Sequence, residues 1–212
     1  MNWPDINFMK TQAPLPDGYR YQRLRRIDIP ILIQSITDWY PDVSVGAASC
    51  YLQPDFYENK ATLEGEVDRD LLVIMTWKGD DFAGFVSWDW ETDSQALYAR
   101  FGVVSPAHRS AKLATIWMQL GETIGRHLGA GFIYTLCTLK VPHMQMALER
   151  AGFKLLGFAP GYDREFVAPG VIKRVFEAYY AKILVPESEL QRPDLNNLTP
   201  KTRELFLSLF PN

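Results

Sequence analysis

The chain has 212 residues, with 22 Lys and Arg against 25 Asp and Glu and a formal net charge of -3. Its 47% hydrophobic and 22% charged residues are ordinary globular usage, which excludes the disordered class and fits one α/β domain with a short C-terminal appendage. The slightly acidic balance offers no footprint for a polyanion, and no run reaches the roughly 18 uninterrupted apolar residues of a membrane span, so neither nucleic acid nor membrane is an expected partner.

The first five residues lack the basic stretch and apolar run of a secretory leader, and a cytoplasmic location is the default expectation. Tyr19 to Arg25 alternates apolar and polar residues, predicting a half-buried first strand. Asp28 precedes Pro30, and Ile29, Leu32, Ile33 and Ile36 recur at helical spacing, predicting a helix that stops at Trp39-Tyr40-Pro41. A second, less regular helix interrupted by Pro54 is expected over much of Ala47 to Leu63. Leu71 to Trp77, the polar cluster Lys78 to Asp81, and Phe82 to Trp90 read as a hairpin. The turn Glu91 to Ser94 then leads to Ala96 to Val104, giving three sequential antiparallel strands.

After Pro106 the period becomes helical, with Leu113, Ile116, Trp117, Leu120, Ile124 and Leu128 on one stripe and Gly129 or Gly131 as the stop. Phe132 to Leu139 is a continuous apolar run, expected at the sheet centre with helices on both faces. Cys137 within it reads as a buried strand residue. Cys50, Cys137, His108, His127 and His143 lack metal-ligand spacing, and no metal site is expected. Pro142 opens a helix through Arg150, Gly152 ends it, and Phe153 to Phe158 follows as a strand. Val175 to Leu184 reads as the last strand, with a helix as the alternative. Residues 1–185 form the expected domain. Residues 186–212 form a polar linker and a short helix opened by Thr199 and Pro200, packed on the domain or on the partner subunit of a homodimer.

This order resembles the GNAT superfamily of N-acetyltransferases. The motif-bearing part runs from Ala96 to Gly157. The strand Leu97 to Val104 leads directly into Ser105-Pro106-Ala107-His108-Arg109, and Arg109-Ser110-Ala111-Lys112-Leu113-Ala114 is similar to the family's phosphate loop of Arg or Gln, two variable residues, Gly, a variable residue, then Gly or Ala. A long amphipathic helix and a Gly152-Phe153 pair follow. Lys112 stands where that loop usually carries Gly. The loop has a physical reason: amides at a helix N-terminus lack intrahelical partners, and the dipole there favours a diphosphate such as that of coenzyme A.

The resemblance implies an α/β (α+β) fold with a mixed, mostly antiparallel sheet of about seven strands flanked by helices. It also implies an acyltransferase that moves an acetyl or short acyl group from acetyl-CoA to a primary amine, on a small molecule or a peptide, by direct attack. The pantetheine arm would lie between splayed strands Ala96–Val104 and Phe132–Leu139, near the backbone of Phe101, Val103 and Val104. The phosphates would meet Arg109, Ser110, Ala111, Lys112, Leu113 and Ala114.

The family's proton-donating Tyr position carries Leu148, so Tyr134, His143 or Tyr162 is considered as the acid. Glu91, Asp93, Asp89, Glu64 and Glu66 are the candidate bases, and the expected catalytic residues are Glu91, Tyr134 and His143. Trp77, Trp88 and Trp90 are sheet packing or, alternatively, a substrate cage. A non-catalytic acyl-CoA-binding module and an unrelated α/β binding protein are the rival readings.

Overall fold

The computed structural model describes residues 2–211. A helix not expected from the sequence opens the chain: α1, Ile6–Gln12, begins where the Asp5 carboxylate accepts the Phe8 amide at 2.7 Å. The first strand, β1, spans Tyr19–Arg23 and ends two residues earlier than its alternation suggested. Arg25 is drawn off by Asp28, which accepts from its Nε at 2.7 Å. Asp28 therefore makes no capping bond to α2, Ile29–Trp39. A 3-10 segment, Pro41–Val45, follows α2, and the helix expected over Ala47 to Leu63 is broken: Ala47–Leu52 is again 3-10, and Pro54 opens the short helix α3, Pro54–Lys60, which gives way to strand β2, Ala61–Thr62.

Strands β3 (Leu71–Lys78), β4 (Asp81–Glu91) and β5 (Ala96–Val104) form the expected antiparallel meander. Seven of the eight β3 residues are buried, because the sheet is covered on both faces at this point. One layer is α1, α4 (Leu113–Leu128) and α5 (His143–Arg150), packed on Trp88, Trp117 and Leu148; the other is α2 and α3, packed on Tyr51, Tyr57 and Phe85. Gly84 is obligatory at the join of β4 and β5. Its φ is +141°, and an added Cβ would lie 2.2 Å from the Val103 carbonyl oxygen.

The remaining strands are β6 (Phe132–Thr138), β7 (Lys154–Ala168) and β8 (Val171–Ile183), and the eight-stranded sheet runs β1-β3-β4-β5-β6-β8-β7 with β2 beside β3. Val175 to Leu184 is thus strand, not helix. It continues a long hairpin whose outer part, roughly 159–174, carried no clear period in the sequence. Among the described residues the parallel pairs are β5 with β6 and the short β2 with β3; the other pairs are antiparallel. Helix α6, Pro200–Leu209, starts where Thr199 Oγ1 accepts the Thr202 amide, and Lys154 reaches it through the Leu209 carbonyl and the Phe210 ring. No helix among the described residues is long and apolar enough to cross a membrane.

Candidate active site

Strands β5 and β6 pair over only three rungs, Ala96–Phe132, Leu97–Ile133 and Tyr98–Tyr134, and diverge beyond them. Just past the last rung, the buried Thr135 hydroxyl donates to the Ala99 carbonyl at 2.7 Å and pins the apex of the gap. A register shift leaves Arg100 as an extra residue between the rungs Ser87–Phe101 and Trp88–Ala99. That bulge re-aims β5 where the gap opens.

The register decides which backbone groups face the gap. The Ser105 amide donates to the Ala83 carbonyl at 2.9 Å, so hydrogen-bonded pairs in this ladder alternate from there. Val103 opposite Phe85 is one such pair, and Phe101 opposite Ser87 is the next. Their backbone groups turn toward β4, and the free edge facing the gap belongs to Gly102 and Val104. Of the residues expected along this edge, Val104 turns its backbone groups to the gap. Phe101 and Val103 instead send their side chains into the core beside Tyr51 and Phe85.

The wide end of the gap leads to the loop read as the phosphate site. Pro106–Ala111 is a 3-10 turn, and α4 starts at Leu113 without any side-chain cap. Lys112 explains its own departure from the expected Gly: it adopts the left-handed conformation, φ 56° and ψ 25°, that Gly takes at least cost. Arg109, Ser110 and Lys112 are exposed, whereas Leu113 is buried in the core and offers only its amide. Arg109 stands over the Tyr40 ring at 5.9 Å. His108 is 6% exposed and ties the loop to the sheet, with Nδ1 2.9 Å from the Tyr19 hydroxyl and Nε2 2.9 Å from Asp81. Free helical amides, an unpaired strand edge and two exposed cations make a chemically suitable cradle for a nucleotide diphosphate and its pantetheine arm.

At the narrow end, on the α2–α3 face of the sheet, Tyr134 donates to Glu91 at 2.5 Å and stacks on Tyr98 at 4.9 Å. Burial, then the adjacent Glu91, pushes the Tyr134 phenol well above its usual range and keeps it protonated. Tyr98 meets Tyr162 at 3.2 Å, bringing a third candidate to the same place. Asp89 receives Arg100 at 2.6 Å; burial raises this carboxyl despite the guanidinium, which also lies over Phe56 at 5.5 Å.

Other candidates are elsewhere. His143 is exposed at the start of α5, at the opposite end of β6 from Tyr134, and Asp93 is exposed in the β4–β5 turn. Glu66 pairs with Arg26, and Glu64 shares that connector before β3, two strands from β5. Leu148 is fully buried among apolar side chains. Trp77 and Trp88 are buried in the two cores, and Trp90 packs on the α4 face, away from the cleft. Arg100 was missed because a strand arginine amid apolar neighbours gives no sign of a bulge. The half-buried alternation Phe132, Tyr134, Leu136 and Thr138 also corrects the expectation of helices on both faces of β6. One face packs on α4 and α5, and the other lines the cleft.

No family model matches the chain, and no curated protein matches it. Solved structures do. A variant of spermidine N-acetyltransferase from Vibrio cholerae aligns with 11% identity and a TM-score of 0.61, over 80% of this chain and 95% of that one. The protein yncA from Salmonella typhimurium, provisionally assigned as an acetyltransferase and solved with acetyl-CoA, aligns with 13% identity and a TM-score of 0.57, over 84% and 99%. Ribosomal-protein-S5-alanine acetyltransferase from Vibrio fischeri aligns with 12% identity and a TM-score of 0.55, over 79% and 94%. The chain thus has the mixed α/β fold of GNAT-type acetyltransferases. Among the described residues, no group of His, Cys, Asp and Glu is arranged to hold a metal ion.

Proposed function

We propose that the protein is an N-acetyltransferase that moves an acetyl or short acyl group from acetyl-CoA to a primary amine. The observation that supports this best is the parting of β5 and β6 after three rungs, with the uncapped start of α4 at the wide end, the free edge of Gly102 and Val104 along the gap and the Glu91–Tyr134 pair at its closed end. Acetyl-CoA would supply a thioester that a neutral amine attacks directly, with its diphosphate held by the amides of Leu113 and Ala114 and by Arg109 and Lys112.

In this reading the neutral amine attacks the thioester carbon, and Glu91 accepts the proton that its nitrogen, positively charged once the C–N bond has formed, gives up. Tyr134 gives its proton to the thiolate as the C–S bond breaks, and Glu91 then returns a proton to Tyr134. The pair moves one proton from nucleophile to leaving group, so neither residue changes state over a turnover. Tyr134 takes the part for which Leu148 has no donor atom. His143, exposed and remote from Glu91, is left outside this chemistry.

Steady-state release of free CoA in the presence of amines tests the reading. Glu91→Gln and Tyr134→Phe should each lower kcat by about 100-fold or more, within the range of general acid–base contributions, with little change in KM for acetyl-CoA. Binding of acetyl-CoA without turnover on any amine would favour the non-catalytic acyl-CoA-binding module.

A further inference from the structure

His108 takes no part in the chemistry above, yet it is a buried titratable side chain inside the loop read as the phosphate site. It lies in the 3-10 turn Pro106–Ala111, between the end of β5 and the start of α4. Its ring is turned toward the sheet, with Nδ1 2.9 Å from the Tyr19 hydroxyl of β1 and Nε2 2.9 Å from the Asp81 carboxylate at the start of β4. The ring also meets Tyr19 edge-on, with centroids 5.6 Å apart. Tyr19 and Asp81 are the titratable groups bonded to the imidazole among the described residues. Two cations stand close by: Lys78, at the end of β3, lies over the Tyr19 ring at 5.4 Å, and Arg109 is the next residue of the turn. Asp80 precedes Asp81 in the exposed β3–β4 turn.

This arrangement takes a proton without moving a heavy atom. In the neutral ring, Nε2–H donates to Asp81 and Nδ1 accepts the Tyr19 O–H. In the protonated ring, Nδ1–H donates to the Tyr19 oxygen, and the half-buried phenol turns its own O–H to water. Nε2–H keeps Asp81, which then pairs with a cation. Both charge states are therefore hydrogen-bonded at both nitrogens.

We propose that His108 is a positioning residue that makes acyl-CoA binding proton-linked: its imidazolium form ties the phosphate loop to β1 and β4 and adds a positive charge beside the diphosphate, so binding takes up a proton. The inference rests on the reading of this loop as the acyl-CoA site. A 3-10 turn rises about 2 Å per residue, which puts His108 roughly 8 Å along the chain from Lys112, where the free amides of α4 begin. That is about one Debye length at physiological ionic strength, and a buried ring is screened less than an exposed charge. At this range a unit charge changes the affinity for a diphosphate several-fold. Of the residue types in the loop, imidazole is the one that ordinarily changes charge between pH 5 and 8. Affinity therefore rises as pH falls through that range.

Calorimetric titration of 3′-dephospho-CoA tests the linkage without requiring turnover, because this ligand keeps the diphosphate and lacks the phosphate monoester that itself titrates near pH 6. The wild type should bind it at least about threefold more tightly at pH 6 than at pH 8. At pH 7 it should take up about 0.2 proton or more per ligand, read from the difference in heat between Pipes and imidazole buffers. His108→Gln offers one acceptor and one donor without the titration, and should bind with the proton uptake and the pH preference gone. A purely structural tie would exchange no proton on binding. Asp81→Asn removes the counter-ion of the imidazolium at a side chain 70% exposed, and should move the pH dependence to lower pH. Binding by the wild type without proton uptake, uptake that survives His108→Gln, or a pH dependence unmoved by Asp81→Asn overturns the proposal and leaves the acyl-CoA reading standing. Failure of the wild type to bind either dephospho-CoA or acetyl-CoA removes the acyl-CoA reading, and this proposal with it.

Discussion

Thr135→Val removes one oxygen from the point where β5 and β6 part and leaves the side-chain shape unchanged. In the wild type that hydroxyl donates to the Ala99 carbonyl at 2.7 Å inside a site only 3% exposed. Without it, a buried acceptor loses its side-chain donor, at a cost of about 1–3 kcal/mol. For a chain of this size each kcal/mol moves the midpoint by roughly 2–4 °C, so thermal unfolding should drop by roughly 2 to 12 °C. Thr135→Ser keeps the donor and loses one methyl group, worth about 0.8 kcal/mol, and should fall less than valine. The valine variant should also bind acetyl-CoA more weakly, because the apex that orients both arms of the gap is no longer pinned. Differential scanning fluorimetry with and without acetyl-CoA reads both effects. A valine variant as stable as wild type, or a serine variant less stable than valine, would refute the reasoning.

Ser110→Glu should abolish acetyl-CoA binding, measured by calorimetry, with circular dichroism unchanged, because a carboxylate at this exposed turn would oppose the diphosphate. Glu177 on β8 gives a pH signature. Burial, reinforced by Asp163 and Glu165, raises its carboxyl to about 7, above the unfolded value near 4.3, so the folded chain holds the extra proton and stability falls as pH rises between those values, by about 3 kcal/mol in all. Glu177→Gln should flatten that part of the stability–pH curve and raise the midpoint at pH 8; a curve identical to wild type would remove the buried-acid assignment. Gly121→Ala should destabilise the core by about 1–3 kcal/mol in urea unfolding, since its Cβ would sit 2.4 Å from Trp88 Nε1; an unchanged midpoint would contradict the packing.

Much of the architecture was legible because it rests on local rules. Alternation around Leu71 to Val104 and the helical stripe from Leu113 to Leu128 each bury one face, and Gly129 at φ 75° closes the helix where expected. The legible part of the site was the loop, whose chemistry is that of an uncapped helix start. What escaped depends on register. Whether Phe101 or Gly102 faces the gap follows from the Ser105–Ala83 bond, a contact across 22 residues that no period reports. Arg100 gained its place through a bulge, and Glu91 met Tyr134 only because β4, β5 and β6 lie side by side. The 159–174 hairpin was missed for another reason. Its two strands lie at the edge of the sheet with mixed exposure, so neither shows the clean alternation of a half-buried strand.

The most direct test of the central claim is thermal unfolding of the wild-type chain with and without saturating acetyl-CoA. Ligand at a hundred times its Kd adds about 2.7 kcal/mol, which predicts a rise of roughly 5–11 °C that Ser110→Glu eliminates. No rise at millimolar acetyl-CoA would contradict the assignment of the β5–β6 gap as an acyl-CoA site.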